Sequence, residues 1–322
     1  MSKFVIRRLL LILPVMVVIS VLVYGLLVAM PGDPLDALVF GSPGITAAEI
    51  ERLKDLYGVN DPFPVQYARW AGQVLQGNFG YSRAYRIPVT ELVGPRLQNT
   101  VILAGLSLLL SAGIAIPLGI YSAMRPYSMS DYVATIFAFV GFAIPNFWLG
   151  LVLIIIFGVR LGWLPPGGLE SVDVGPGTWS QVADRGKYLI LPVFVLGFSS
   201  MAQWMRYMRS SMLEAMRQDY VVTARAKGLK DRHIIFIHVL KNALIPVVTL
   251  MGNTIPVILG GSIIVETVFA YPGVGKLLYD SVTGNDFSVS MAILLFLALL
   301  VVVFNLLADV IYGVLDPRIR YE

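Results

Sequence analysis

Cysteine is absent from the 322 residues, which excludes a disulfide framework, a thiolate metal site and a cysteine nucleophile. Histidine is nearly absent: His233 and His238 are the whole complement of two. Their spacing of five does not return to one face of an α-helix, so a helical zinc pair is not expected. Charge is scarce as well, with 14% of residues Asp, Glu, Lys or Arg against about 25% in ordinary soluble chains. A nucleotide-binding P-loop is missing. The stretch "AYPGVGKL" at 270–277 has Ala270 where that loop needs glycine and Leu277 where it needs Ser or Thr. No Gly-x-Ser-x-Gly nucleophile elbow occurs either. Self-contained ATP hydrolysis and serine or cysteine catalysis are therefore not expected of this chain.

What the chain has is apolar length. Hydrophobic residues make up 57%, the mean hydropathy is +0.76, and a bilayer core asks for about 20 apolar residues per helix. Six runs meet that need: Leu9–Met30, Val101–Met124, Tyr132–Val159, Tyr188–Met208, Leu244–Val265 and Val289–Leu315. The first is longer than the apolar part of a signal peptide, about 7–15 residues, and reads as a retained anchor. Lys and Arg set the orientation. With the N-terminus inside, the inside segments 1–8, 125–131, 209–243 and 316–322 hold most of the cations near span ends, including Arg209, Arg217, Arg225, Lys227, Lys230, Arg232 and Lys241. Both termini are then cytoplasmic. The net charge of +4 belongs to these span flanks and to the lipid surface, so no nucleic-acid partner is expected. The fold class is an all-α integral membrane protein.

Three parts follow: 1–30, the N-terminus and first span; 31–100, an outside insertion rich in turn signals such as "GSPG" and "NDPFP"; and 101–322, a five-helix core with an inside loop at 209–243. Short helices are expected at 46–57 and 64–75 within the insertion. Few ionisable residues fall inside the spans, and proton-coupled transporters usually need them. Glu266 and Asp309 are the exceptions; both lie near span ends and read as capped or interfacial carboxylates.

The inside stretch "DYVVTARAKGLKDRHIIFIHVLKNALIP" at 219–246 is polar and basic. Its pattern predicts a helix over 211–227, a left-handed stop at Gly228 and a second helix over 231–242. Tyr220, Ala224 and Lys227 share one face, and the small Ala224 and Ala226 offer close approach to a partner. A linker lying on the headgroups is the alternative reading. On the fifth span Thr249, Gly252, Asn253, Thr254, Pro256, Gly260, Gly261 and Ser262 serve equally as a pore lining or as close helix packing. The same ambiguity holds for Asn146, after Pro145, on the third.

Nearly the whole chain resembles permease subunits of bacterial ABC importers, in the dipeptide/oligopeptide branch. The likeness is carried by "FVIRRLL", "MPGDP" at 30–34, "LYGVNDPFPVQYARWAGQVLQGNFGYS" at 56–82, "MRSSMLEAMRQDYVVTARAKGL" at 208–229, "HVLKNALIPVV" at 238–248, "ETVFAYPGVGKLL" at 266–278 and "DPRIR" at 316–320. The resemblance implies a type I importer-like bundle and a loop that docks into a cleft of a partner ATPase. The general loop signature is acidic-Ala-Ala, three residues, then Gly. Gly228 matches its glycine, while Val222, Thr223 and Ala224 occupy its first three positions, so the last alanine alone is kept. By resemblance the ATPase-coupling residues are Asp219, Tyr220, Thr223, Ala224, Ala226, Lys227, Gly228, Leu229 and His238. The path or gate residues are Asn146, Thr249, Gly252, Asn253, Pro256, Glu266 and Pro272. The implied partners are a second homologous permease subunit, as a heterodimer, two cytoplasmic ATPases carrying ATP and Mg, and an outside substrate-binding protein. No cofactor is expected in this chain. Peptide is the expected cargo, with nickel, glutathione, haem or oligosaccharide as alternatives within the branch. A self-contained secondary transporter or channel is the alternative from another class.

Overall fold

The structure is a computed structural model and describes residues 2–29, 49, 51–52, 58, 60–173, 175, 177 and 179–315. Of the helix expected at 46–57, residues 49, 51 and 52 are described and are helical; the "MPGDP" and "DPRIR" segments lie outside the described residues, as does the Asp309 side chain. Among the described residues there is no strand, only an isolated bridge between Tyr81 and Pro88. The chain is built from α1 (Ser2–Ala29), α2 (Phe63–Leu75), α3 (Val89–Met124), α4 (Met129–Ala143), α5 (Asn146–Leu153), α6 (Trp179–Met216), α7 (Asp219–Ala226), α8 (Leu240–Val268), α9 (Val274–Thr283) and α10 (Phe287–Leu315).

Helices α3, α6, α8 and α10 contain the stretches long and apolar enough to cross a membrane. Helices α4 and α5 qualify only as a pair, and they meet at a bend of 104°. The single third span read from the sequence, Tyr132–Val159, is therefore a broken one. Pro145 explains the break: a residue before proline is pushed out of helical geometry, and Ile144 stands at φ −87, ψ 121. The described apolar stretch of α1, Leu10–Leu26, is shorter than the others. Helices α3 and α6 start at Val89 and Trp179, well before their apolar runs, because their polar first turns continue the helix outside the apolar layer.

Helix α3 packs most extensively on α6, running parallel to it, with Ser107 and Ser111 beside Gly197 and Gly119 beside Met208. The close approach is made possible at Gly197, where a Cβ would stand 2.7 Å from Ser111 Oγ and 2.9 Å from the Ser107 carbonyl. Ser111 itself bridges the helices, donating to the Gly197 carbonyl at 2.8 Å. Apolar clusters stack along the bundle. One joins the starts of α3, α9 and α10 through Val93, Leu277 and Ile293. Two fill the middle around Phe198, Leu259 and Trp204. One lies under α7 around Met208, Met212 and Val239.

Within the 31–100 segment, α2 forms as expected at 64–75 and leans on α1. Tyr24 packs on Trp70 with ring centroids 5.1 Å apart, and Ser20 and Tyr67 share a hydrogen bond of 2.8 Å. The end of the insertion is tied to the core by Asp286, which accepts from the Ser82 hydroxyl at 2.6 Å and the Ala84 N–H at 3.1 Å.

Candidate functional site: the two ends of one helix

Helix α8 is preceded without a break by Asp231–His233 and a π-helical segment, Ile234–Val239. One helical run thus reaches from the basic inside loop to the outer turn after Val268. Its two ends carry most of the candidate residues.

At the inside end, the single helix expected over 211–227 is two. Helix α6 stops at Met216, the chain turns at Arg217 and Gln218, and α7 begins at Asp219. The turn swings α7 so that Val221 and Ala224 are buried against Met208, Met212, Ile234 and Val239. Ala224 therefore faces this chain's own core, which corrects its reading as a point of approach for a partner. Asp219, Tyr220, Thr223, Ala226, Lys227, Gly228 and Leu229 are exposed, and His238 is half-buried. Helix α7 ends as predicted at Gly228, with φ +73. The Gly228 N–H donates to the Arg225 carbonyl at 2.9 Å and the Leu229 N–H to the Ala224 carbonyl at 3.3 Å. No atom lies within 4 Å of where a Gly228 Cβ would stand. Backbone conformation alone asks for glycine there. Across this elbow Arg225 and Asp231 pair at 3.1 Å, a solvated contact of little energetic weight.

The second helix expected over 231–242 is present, but it does not stop: it continues into α8. Its π segment also corrects the reading of the histidines. A π turn stacks residue i over i+5, and His233 and His238 meet edge to face with ring centroids 5.8 Å apart. Among the described residues no group of three or more possible metal ligands forms.

At the outer end, Glu266 is fully buried. Its carboxylate accepts from the Thr100 hydroxyl at 2.6 Å and the Lys276 N–H at 2.9 Å. Thr100 Oγ1 in turn accepts from the Val274 N–H at 2.9 Å. These amides belong to the first turn of α9, whose free N–H groups favour an anion. The carboxylate thus caps a helix other than its own. Glycine makes room for it: a Cβ on Gly273 would lie 2.3 Å from Glu266 Cδ, and one on Gly275 would lie 2.6 Å from Ile263 Cα. Asn99 donates to the Pro272 carbonyl at 2.8 Å, and Gly168 N–H to the Phe269 carbonyl at 2.9 Å. The start of α3 and the loop at Gly168 thus meet on the turn Phe269–Pro272. Burial, reinforced by the Glu266 carboxylate, pushes the Tyr271 hydroxyl up to about 12. In the neighbouring loop the half-buried Glu170 carboxyl is held below its usual range by the Arg185 guanidinium of α6 at 2.7 Å.

Between the ends, the remaining candidates separate by face. Gly252, Thr254 and Ser262 are buried; Asn253 and Gly260 are exposed, and Thr249 and Pro256 are half-buried. Trp204 Nε1 donates to Thr254 at 3.3 Å, whereas nothing lies within 4 Å of a Gly260 Cβ. The small residues therefore divide, with packing on one side of α8 and an exposed stripe on the other. Glu266 and Pro272 come together in the outer latch, while Thr249, Gly252, Asn253 and Pro256 are strung along the helix. Asn146 opens α5 at the 104° bend.

Three groups escaped the sequence reading. Thr100 and Asn99 complete the latch from far away in the chain. Asp131, buried at the start of α4, is gripped by Arg209 of α6 at 2.5 and 2.7 Å and accepts from Ser122 and from the Tyr127 N–H. One signal was there: Ser128 with Asp131 three residues on, before an apolar run, has capping-box spacing, and Ser128 does accept from the Asp131 N–H. Asp286 offered no comparable local cue.

Comparison with known proteins agrees with this architecture. Residues 115–321 match the model of the binding-protein-dependent transport system inner membrane component, and residues 1–104 match the N-terminal model of such membrane components. The oligopeptide transport system permease protein AppB of Bacillus subtilis (strain 168) is 46% identical over 322 residues, covering 100% of both chains. The dipeptide transport system permease protein DppB of Escherichia coli (strain K12) is 35% identical over 339 residues, again covering 100% of both. Among solved structures, the inward-facing MetNI methionine ABC transporter shares the fold at a TM-score of 0.52 and 19% identity, over 68% of this chain and 94% of that one. The multi-pass helical bundle, the inside elbow and the outer latch are thus those of a protein that belongs to the family of binding-protein-dependent transport system inner membrane components.

Proposed function

We propose that the chain is one of two membrane subunits of an ATP-driven importer for di- and oligopeptides, pairing with a homologous second subunit. The observation that carries this reading is relatedness along the entire length to permeases of oligopeptide and dipeptide transport systems. In this reading six spans place both termini in the cytoplasm, residues 31–100 face outside toward the binding protein, and 101–322 form the translocating core. Two partner ATPases hold ATP and Mg and grip the exposed face of the 219–229 elbow; this chain holds no cofactor. The continuous helical run from Asp231 to Val268 supports such coupling, because a displaced elbow tilts α8 as one lever. The open stripe of Thr249, Asn253 and Gly260 then lines the path, with Pro256 and Gly252 shaping the helix, and the latch of Glu266 and Pro272 closes its outer end. Asn146 flanks the path at the broken span.

Two measurements test this. Extracted gently from its own membrane, the chain should bring down two ATPase chains and a sister permease in stoichiometric amounts; isolation as a single species under conditions that preserve known complexes would refute the reading. Gly228→Trp places a large ring at the exposed elbow. It should leave membrane insertion intact and separate ATP hydrolysis from uptake. Normal substrate-stimulated hydrolysis with normal uptake in that variant would reject the elbow as the coupling element.

A further inference from the structure

Residues 80–88 form a tight loop that leads into α3. Tyr81 bridges Pro88. The Ser82 N–H donates to the Ile87 carbonyl at 2.9 Å, the Arg86 N–H to the Ser82 carbonyl at 3.0 Å and the Val89 N–H to the Gly80 carbonyl at 3.0 Å. The Ser82 hydroxyl oxygen accepts from the Tyr85 N–H at 3.0 Å and donates in turn to the buried Asp286, which also holds the Ala84 N–H. Just before the loop, Phe79 packs on Phe296 of α10 with ring centroids 5.1 Å apart. The backbone is thus fixed both within the loop and from the core.

The side chains on this fixed loop point the other way. Tyr81, Arg83, Tyr85 and Arg86 are all exposed. Neither arginine has a carboxylate, hydrogen-bond or ring partner among the described residues. Arg86 also stands at φ +56, a left-handed conformation that strains an L-residue. At Gly77 and Gly80 the chain meets positive φ with glycine; at 86 it keeps a long cation that forms no polar bond within the fold. Exposed tyrosine and arginine are the residue types that dominate protein-binding surfaces, and a loop already ordered loses little freedom when a partner arrives. Placement favours a protein over lipid. Twelve residues of α3, roughly 18 Å, separate Val89 from Val101, where its apolar run begins, and Thr90 and Glu91 are exposed beside the loop. Helix α10 is apolar at this level because Val289, Ala292 and Ile293 are buried in one cluster with Val89, Leu92 and Val93.

We propose that the loop 81–86 is a docking point for the outside substrate-binding protein and receives an acidic patch of it, with Arg83 and Arg86 as the charge partners and Tyr81 and Tyr85 as flat apolar contacts. The proposal rests on the importer reading above, in which residues 31–100 face outside. In that reading most cations near span ends gather on the inside segments, so two unpaired arginines on the outside call for an anionic partner there. Attraction of this kind speeds encounter without requiring a tight complex. That suits a partner that must arrive loaded and leave empty.

The test uses the whole complex in phosphatidylcholine nanodiscs, with the purified binding protein that stimulates its ATP hydrolysis. The Kd for that protein, and its KM in stimulated hydrolysis, are measured at about 0.05 M and about 0.5 M salt. Wild-type affinity should fall about tenfold as salt rises. Arg83→Glu combined with Arg86→Glu should weaken docking about tenfold or more at low salt and remove most of the salt dependence. Tyr85→Ala should weaken docking and leave the salt dependence in place. Arg86→Gly separates docking from folding: it relieves the strained φ, so the unfolding midpoint should not fall, yet docking should weaken about threefold. A merely structural arginine would lose both together. Equal affinity in the parent and in the arginine variants, or a wild-type affinity indifferent to salt, overturns the surface while the importer reading stands. A loss that appears only in discs containing anionic phosphatidylglycerol assigns the loop to lipid and overturns the proposal, as does loss of the sister permease from the charge-reversed complex. A wild-type complex that responds to no binding protein defeats the importer reading and the surface with it.

Discussion

The two ends of α8 are made to opposite plans. At the outer end a carboxylate is sealed from solvent, its hydrogen bonds from Thr100 and Lys276 come from other segments, and two glycines exist because a methyl group would not fit. At the inner end Tyr220, Thr223 and Lys227 of the elbow are exposed, and the glycine there stands in open space. A buried polar network holds only while every member is present, so the identities of Thr100, Glu266 and Gly273 follow from the interior. The interior supplies no such reason for Tyr220 or Lys227. The contrast therefore separates residues that hold the shape from residues that present it.

The largest break in this contrast should come from Glu266→Ala. It strands the Thr100 hydroxyl and the Lys276 N–H without their acceptor and opens space beneath Gly273. The expected loss is roughly 3–5 kcal/mol of stability, read as a lower unfolding midpoint of the purified protein in detergent. A midpoint equal to that of the parent would mean that the latch is not what secures α8 to α9. Gly273→Ala comes next, at about 1–3 kcal/mol from overpacking. Its φ of −103 suits alanine, so the cost is steric and is directed at Glu266. The double variant should therefore be less destabilised than the sum of the two singles. Strict additivity would place the clash elsewhere.

The legible and illegible parts of the sequence divide along the same line. Apolar runs, the basic inside loop and the stop at Gly228 are local signals, and they correspond to the apolar helices, the exposed elbow and its positive φ. The latch is not local: Thr100 and Glu266 are separated by 166 positions, and Asp131 and Arg209 by 78. A carboxylate near a span end reads the same whether it caps its own helix or another. The break at Pro145 went unread, because from Ile136 the apolar run continues through it without a polar residue until Asn146. The histidine contact was misread because a period of 3.6 residues was assumed where the backbone is π-helical. Ala224 was assigned to the outer face because the turn at Arg217 and Gln218, which rotates α7, has no glycine or proline to mark it.

The smallest effects belong to the elbow, and they sharpen the comparison most. Gly228→Ala meets no neighbouring atom, so it should cost only the strain of an L-residue at positive φ, about 1–2 kcal/mol. Gly228→Asn should cost less, because asparagine tolerates that conformation. If backbone geometry is all that matters at this position, stability and coupled uptake should both follow the order Gly, Asn, Ala. If Asn preserves stability but abolishes coupled uptake as a tryptophan would, the requirement is for a bare surface against which a partner packs. Paired measurements of unfolding midpoint and ATP-driven uptake on the same preparations distinguish the two, since a purely conformational glycine cannot lose one without the other.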